Sequence, residues 1–167
     1  VTTQYRYDGA GNLVEERIGA DPAAIYRHGG AHRLVEVRRA NGARYTLRYD
    51  REGQLLEVSD GAGRRHHFDR GPRGAIRREV TFDGRIFDYD YDLAGRVVSK
   101  RLDGHVLTTF AYDAAGRLVE RTYPLSDRTE RFEHDENGHL VRAETEDGVF
   151  TFQRNARGWI VAETTTV

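Results

Sequence analysis

The chain has 167 residues, 38% apolar and 32% charged, with nine Tyr, seven Phe and one Trp; this is too aromatic for a disordered chain, yet spread too thinly for the fully buried strands of a thick core. Its 26 basic and 27 acidic residues interleave to a net charge of −1. That excludes nucleic acid as the main partner, which needs a basic face. No apolar run approaches the ~20 residues that span a membrane, so no membrane insertion is expected.

The chain opens on Val1 and contains neither Met nor Cys. The absence of Met points to a processed or truncated piece of a larger protein. Without Cys, no disulfide framework is available.

In chain order, one pattern recurs through Tyr5–Glu15 (YRYDGAGNLVE), Tyr26–Glu36 (YRHGGAHRLVE), Leu47–Glu57 (LRYDREGQLLE) and Phe68–Arg78 (FDRGPRGAIRR). It continues through Tyr89–Ser99 (YDYDLAGRVVS), Phe110–Glu120 (FAYDAAGRLVE), Phe132–Arg142 (FEHDENGHLVR) and Phe152–Ala162 (FQRNARGWIVA). The aliphatic anchors Leu13, Leu34, Leu55, Ile76, Val97, Leu118, Leu140 and Ile160 follow one another at gaps of 21, 21, 21, 21, 21, 22 and 20. Eight such units fill the chain, so residues 1–167 read as a single repeat array with no room for a second domain. The first column is aromatic at Tyr5, Tyr26, Phe68, Tyr89, Phe110, Phe132 and Phe152, with Leu47 the exception. The Gly column is Gly11, Gly53, Gly74, Gly95, Gly116, Gly138 and Gly158, with His32 in its place once.

Each unit reads as two strands. In Arg44–Asp50, Tyr45, Leu47 and Tyr49 alternate with Arg44, Thr46 and Arg48, the period of two of a half-buried strand. The half after the Gly, such as Leu118-Val119-Glu120-Arg121, mixes aliphatic and charged residues as a strand partly buried on both faces would. Between them, Asp8, Asp50, Asp92, Asp113 and Asp135 are placed to accept backbone N–H groups in an Asx-type turn. Gly11, Gly53, Gly95, Gly116 and Gly138 supply the positive φ that a short hairpin loop needs. A second set of turns is expected at Asn41-Gly42, Asp60-Gly61, Asp83-Gly84, Asp103-Gly104 and Asp147-Gly148. The expected fold is all-β: some 16 antiparallel strands of roughly 20 Å, forming a curled or spiralling sheet about 75 Å along the strip. A closed barrel and a propeller with 42 residues per blade are the alternatives, the propeller weakened because odd and even copies look alike.

The phrases YDGAGNLVEER, YDREGQLLEV, YDLAGRVVSKR and YDAAGRLVERTY resemble the Rhs/YD-repeat family. That family comprises bacterial Rhs polymorphic toxins, wall-associated Rhs-type proteins, the C components of Tc insecticidal toxins and animal teneurins. The resemblance covers essentially the whole chain. It implies a shell wall, a secreted or cell-surface location, and two partners: the remainder of the parent shell and an enclosed toxin or cargo polypeptide. The family's self-cleavage motif, with Asp-Pro-x-Gly, is absent, since the only Asp-Pro is Asp21-Pro22, followed by Ala23-Ala24.

No catalytic, cofactor or metal site emerges. His66 and His67 are adjacent and face opposite ways on a strand. His28 and His134 stand in the Tyr column of the repeat. No Gly-rich loop opens a helix, and Ser59, Ser99 and Ser126 lack motif context. Carboxylates alternate with Arg, as in Glu15-Glu16-Arg17 and Arg77-Arg78-Glu79, which cross-strand pairing explains. The rival function is an extracellular carbohydrate-binding or adhesion module using the aromatic rows, with Trp159 as a local departure from the repeat. The β-prone ends Val1–Tyr7 and Trp159–Val167 carry one charge each, so self-association through edge strands is expected.

Overall fold

The structure is a computed structural model that describes residues 1–166. It consists of two compact units, one of Val1–Ile86 and one beginning at Phe87. The first holds β1 (Thr3–Tyr7), β2 (Leu13–Ile18), β3 (Ala24–His28), β4 (Leu34–Arg38), β5 (Arg44–Tyr49), β6 (Leu55–Asp60), β7 (Arg65–Arg70) and β8 (Ile76–Val80). The second holds β9 (Ile86–Tyr91, its first residue ending the first unit), β10 (Val97–Leu102), β11 (His105–Tyr112) and β12 (Leu118–Tyr123), followed by β13 (Arg128–His134), β14 (Leu140–Thr145), β15 (Gly148–Arg154) and β16 (Ile160–Thr166). The one helical turn among the described residues is a 3-10 turn at Gly30–His32.

Within each unit strand order follows chain order, so sequence neighbours are sheet neighbours. Among the described residues the order is linear: β1 pairs only with β2 and β16 only with β15. A closed barrel is therefore not formed. Nor is a propeller, which would part the sheet after every fourth strand: β4 pairs β5 through Glu36↔Thr46, Val37↔Tyr45 and Arg38↔Arg44, and β12 pairs β13 from Glu120↔Arg131 to Tyr123↔Arg128.

Eight hairpins close inside a repeat, and each carries a register shift at the same place, as between Arg48 and Tyr49 or Ala111 and Tyr112. The cause is the loop. Asp113 N–H donates to Arg117 O (2.9 Å), Gly116 N–H donates to Asp113 O (2.9 Å), and Gly116 takes φ +86°. This is a three-residue hairpin loop, a type I turn followed by a bulge residue in the left-handed region. The Asp carboxylate completes it. Asp8 Oδ1 accepts the N–H groups of Ala10 and Asn12, each at 2.9 Å.

The turns on the opposite side are more varied than the Asn-Gly and Asp-Gly pairs suggest. Only Asp103-Gly104 has both residues at positive φ, +49° and +86°, the two-residue form. At Asn41-Gly42 and Asp83-Gly84 the loop begins two residues earlier, with Arg39 N–H bonding Ala43 O and Thr81 N–H bonding Arg85 O. At Asp60 the Gly of the bulge is Gly63, not Gly61, because Asp60 caps the amides of Ala62 and Arg64. At the last of them, β15 begins on Gly148 itself, so Glu146 and Asp147 form the loop. At Asp60, a side-chain acceptor at the loop start wins over the local dipeptide.

The layer has no conventional core. Among the described residues, the one buried apolar side chain is Ala143, and no large side chain is fully buried. The most buried charged residues, Glu36, Glu57 and Glu130, are 8%, 7% and 5% exposed. What coheres such a sheet has to be sought between repeats.

Candidate functional site: the joint between repeats

Between one repeat and the next, the hydrogen-bond ladder stops short of the Asp-turn end. The β4–β5 ladder ends at Glu36↔Thr46, leaving Leu34 and Tyr49 beyond it. An unpaired carbonyl in a half-buried place is costly. It is met by a side chain: Tyr49 Oη–H donates to Leu34 O at 2.8 Å. The same bond joins Tyr112 Oη to Val97 O at 2.9 Å. Where the repeat carries Arg instead, the guanidinium does this work. Arg70 Nη2 reaches Leu55 O and Arg154 Nη2 reaches Leu140 O, each at 3.2 Å, while Nη1 holds the carbonyl of Gly74 or Gly158. His is too short to serve: His28 Nδ1 and His134 Nδ1 are buried without a hydrogen-bond partner.

A second contact runs along the turns. At Gly53, Gly74, Gly116 and Gly158, though not at Gly95, the residue after one repeat's Gly position lies over the Gly of the following repeat. A Cβ placed on Gly53 would meet the Arg33 guanidinium; on Gly74 it would sit 2.8 Å from Gln54 Nε2; on Gly116, 3.2 Å from Arg96 Nη1; on Gly158, 3.0 Å from His139 Nε2. Arg33 and Arg96 then rest on the Tyr49 and Tyr112 rings, 5.9 and 4.6 Å from the centroids. At Gly53, Gly74, Gly116 and Gly158 the glycine is thus required twice, for its φ and for its missing side chain. The first pair of repeats, with His32 in the Gly position, substitutes a polar contact, His32 Nδ1 to Asn12 Oδ1 at 3.0 Å.

The third element is charge. On the sheet face opposite the aromatic column, Arg6 pairs Glu15, Arg27 pairs Glu36 and Arg48 pairs Glu57 across the hairpin. In the fourth and seventh repeats the signs invert, to Asp69↔Arg78 and Glu133↔Arg142, and Arg142 Nη1 donates to Glu133 Oε1 at 2.9 Å. The ladder continues across repeats. Glu36 lies between Arg27 (3.1 Å) and Arg44 (3.0 Å), and Glu57 between Arg48 (3.5 Å) and Arg65 (3.7 Å), whereas Glu130, on the aromatic face beside Phe132, lies between Arg121 and Arg128. Burial raises the Glu36 pKa, but Arg44 and Arg27 outweigh it and hold the carboxyl below its ordinary value.

The turn carboxylates are held ionised as well. Asp92, Asp113 and Asp135 lie below the ordinary Asp value. In each the largest cause is the backbone N–H of the residue four on, opposed by burial and assisted by the side chain of Arg96, Arg117 or His139. Asp8 is lowered chiefly by the Asn12 side chain. Asp50 Oδ1 accepts the Gln54 N–H at 2.7 Å.

The aromatic column has part-time polar duties. Tyr26 Oη donates to Glu16 Oε2 at 2.9 Å, the Phe132 ring takes Arg121 at 5.9 Å, and Phe68 stacks on His66 at 4.5 Å. Tyr89 carries Lys100 at 5.6 Å. Phe110 and Phe152 are half-buried on β11 and β15. Tyr5, on the outermost strand, is 55% exposed. Among the described residues no group of three or more His, Asp or Glu is placed to hold a metal, and no helix is long and apolar enough to cross a membrane.

The joint-forming Tyr and its Arg substitutes stand in a column that sequence reasoning treated as packing. A signal was present. The first column accepts Phe at four positions, whereas the third (Tyr7, His28, Tyr49, Arg70, Tyr91, Tyr112, His134, Arg154) never does and always has a polar head.

These features define an antiparallel hairpin-repeat sheet one layer thick, coupled by side-chain joints. The RHS Repeat family model matches residues 30–65 and 91–128, and the chain carries RHS repeats there. No curated protein matches the sequence. Solved structures give its fold: the crystal structure of TcdB2-TccC3-TEV (TM-score 0.53, 12% identity) and that of TcdB2-TccC3-Cdc42 (0.52, 13%). The Photorhabdus luminescens Tc holotoxin pore is similar at TM-score 0.50 and 12% identity. Each match covers 98% of this chain and 12% of the other, so the chain spans about an eighth of the proteins it resembles.

Proposed function

We propose that the chain is one array of eight repeats that forms a non-catalytic segment of an Rhs-type shell wall, joined to further wall and enclosing a polypeptide in a secreted or cell-surface protein. The observation that carries this reading is the coreless layer: burial falls on inter-repeat joints and ion pairs, the economy of a wall and not of a globule. The conserved geometry of Asp8, Asp50, Asp92, Asp113 and Asp135 with their Gly partners is then structural, since each carboxylate is occupied by its own turn or flanking cation. The similarity to TcdB2-TccC3 over 98% of the chain supports the same role.

The test is protease protection in the intact parent protein. An enclosed segment resists protease while the wall is closed and becomes sensitive when Gly53→Val and Gly116→Val open two joints. Equal cleavage in both proteins rules enclosure out. Glycan binding finds less support, because Tyr26, Tyr49 and Tyr112 commit their hydroxyls internally.

A further inference from the structure

The chain's net charge of −1 hides a basic first unit. Val1–Ile86 carries 16 Arg and no Lys against 12 Asp and Glu, a net +4. The excess shows on the face opposite the aromatic column. There the Glu36 and Glu57 side chains are only 10% and 9% exposed, whereas the guanidinium-bearing side chains that hold them, Arg27, Arg44, Arg48 and Arg65, are 51–69% exposed. The carboxylates lie beneath and the cations above, so this face meets solvent as positive charge.

One position on this face is at odds with the sheet. Arg38 on β4 lies directly opposite Arg44 on β5, the one like-charged pair among the described strand registers. Like charges so placed are destabilising. Arg44 is compensated by Glu36 at 3.0 Å, but Arg38 is exposed and has no ion-pair partner among the described residues. Beside the pair, Thr46 and Ser59 face each other across β5–β6. Their short side chains leave a shallow floor, with Arg44 and Arg48 on either side of Thr46 and Arg65 opposite Ser59. Around that floor stand five Arg against two Glu, a net +3, all on the interior strands β3–β7. Asp69, at the far end of β7, is taken by His67 at 2.9 Å.

We infer that this patch binds an acidic polypeptide segment, one of whose carboxylates bridges Arg38 and Arg44 while others reach Arg48 and Arg65. The bond is one the face already makes. A guanidinium is a planar fork of five N–H donors matched to carboxylates, and Arg27, Arg44 and Arg48 each give one Nη to a Glu beneath. The donors left over suit a second carboxylate from above. Single-stranded nucleic acid fits less well, because the aromatic column that could stack bases is on the other face. A lipid surface fits less well too: Ile25, the one apolar residue of this face on β3–β7, is half-buried and offers nothing to insert. The inference draws only on interior strands of the first unit and stands whether or not the wall encloses a cargo.

The probe is a fluorescein-labelled peptide of alternating Glu and Ser, with a Gln-for-Glu peptide as its control, titrated with the chain and read by fluorescence anisotropy. The Glu peptide should bind saturably and the Gln peptide should not, and added salt should weaken the binding. Arg38→Gln should weaken it about tenfold, or 1.4 kcal/mol. The same change should not lower stability in urea, because it relieves the opposition to Arg44. Arg157→Gln, at an exposed position in the second unit, should leave binding unchanged. No saturable binding of the Glu peptide at low salt overturns the inference. So does undiminished binding by Arg38→Gln, and so does an equal loss from Arg157→Gln, the mark of diffuse attraction. Tighter, Arg38-dependent capture of a sulfated oligosaccharide or an oligonucleotide of the same net charge would overturn the choice of partner.

Discussion

Replacing Tyr112 by Phe isolates the repeat joint, because it removes one oxygen and keeps the ring under the Arg96 guanidinium at 4.6 Å. The lost bond, Tyr112 Oη to Val97 O at 2.9 Å, is part-buried. A hydrogen bond of this kind contributes about 1 kcal/mol net, and a carbonyl left unsatisfied in a dry place costs ~1–3 kcal/mol. Val97 O lies beyond the β10–β11 ladder, which ends at Ser99↔Thr109, so no backbone N–H of that ladder takes over. The expected loss is about 1.5 kcal/mol. Urea unfolding followed by circular dichroism measures it, with both unfolding limbs fitted because a repeat array need not unfold in one step. Tyr112→Arg should recover much of the loss, since Arg70 and Arg154 make the same bond. The reverse change, His134→Tyr, should stabilise by about 1 kcal/mol by giving that column a donor where a buried Nδ1 now has no partner. If Phe is as stable as Tyr, or Arg is no better than Phe, the hydroxyl bridge is not what couples the repeats.

Gly53→Ala and Gly95→Ala share a positive φ, +87° and +83°, but only Gly53 lies under a neighbour, Arg33. Both should lose ~1–2 kcal/mol to strain. Gly53→Ala should lose about 0.5–1 kcal/mol more by displacing Arg33 from Tyr49, an excess that vanishes in an Arg33→Ala background; equal losses in both backgrounds refute the stacking. Arg48→Glu should destabilise by setting like charges across β5–β6, and adding Glu57→Arg should recover part of it, as the inverted pair Glu133↔Arg142 does naturally; Arg65, beside Glu57, limits the recovery. A double variant no better than the single one, by urea melting, removes the charge ladder from the account. For pH, the carboxyls of Asp92, Asp113 and Asp135 are lowered from 3.8, so their stabilisation is complete above that value and is lost as pH falls through the lowered one. Asp113→Asn should keep the turn, as Asn155 does by accepting Arg157 and Trp159 N–H, and should flatten the acid limb of an unfolding titration.

The repeat made the strands legible. A 21-residue period with alternating Tyr45, Leu47 and Tyr49 leaves little choice but hairpins, and the Asp-x-x-Gly spacing specifies the loop. The opposite turns were misread where a dipeptide looked sufficient. At Asp60-Gly61 the local pair competes with the Asp60 carboxylate, and capping two amides outweighs a tight two-residue turn. The joint was illegible for another reason. A hydrogen bond from Tyr49 to a carbonyl 15 residues earlier belongs to neither strand's pattern, and shows itself only when the columns are compared for the absence of Phe. The charge ladder lay between: alternation suggested pairing, but the inversion at Asp69/Arg78 and Glu133/Arg142 reveals which positions pair.

That inversion bears on how a wall without a core keeps its register. An exposed ion pair is worth ~0–1 kcal/mol, too little to hold a sheet together. A slip by one residue, however, turns every side chain to the other face. It would move Glu36 and Glu57, each now nearly buried between two Arg, to the side of the aromatic columns, and would take Glu130, now held between Arg121 and Arg128 beside Phe132, to the opposite face. The cost of stripping those carboxylates of their cations exceeds what the bridges contribute when made. The ion pairs therefore act mainly against wrong registers, while Tyr49, Tyr112, Arg70 and Arg154 fasten the right one. Dividing the labour this way lets the repeats vary their apolar residues, down to Leu47 in the aromatic column, while Tyr49, Tyr112, Arg70 and Arg154 reach the preceding carbonyl and the paired charges invert together at Asp69/Arg78 and Glu133/Arg142.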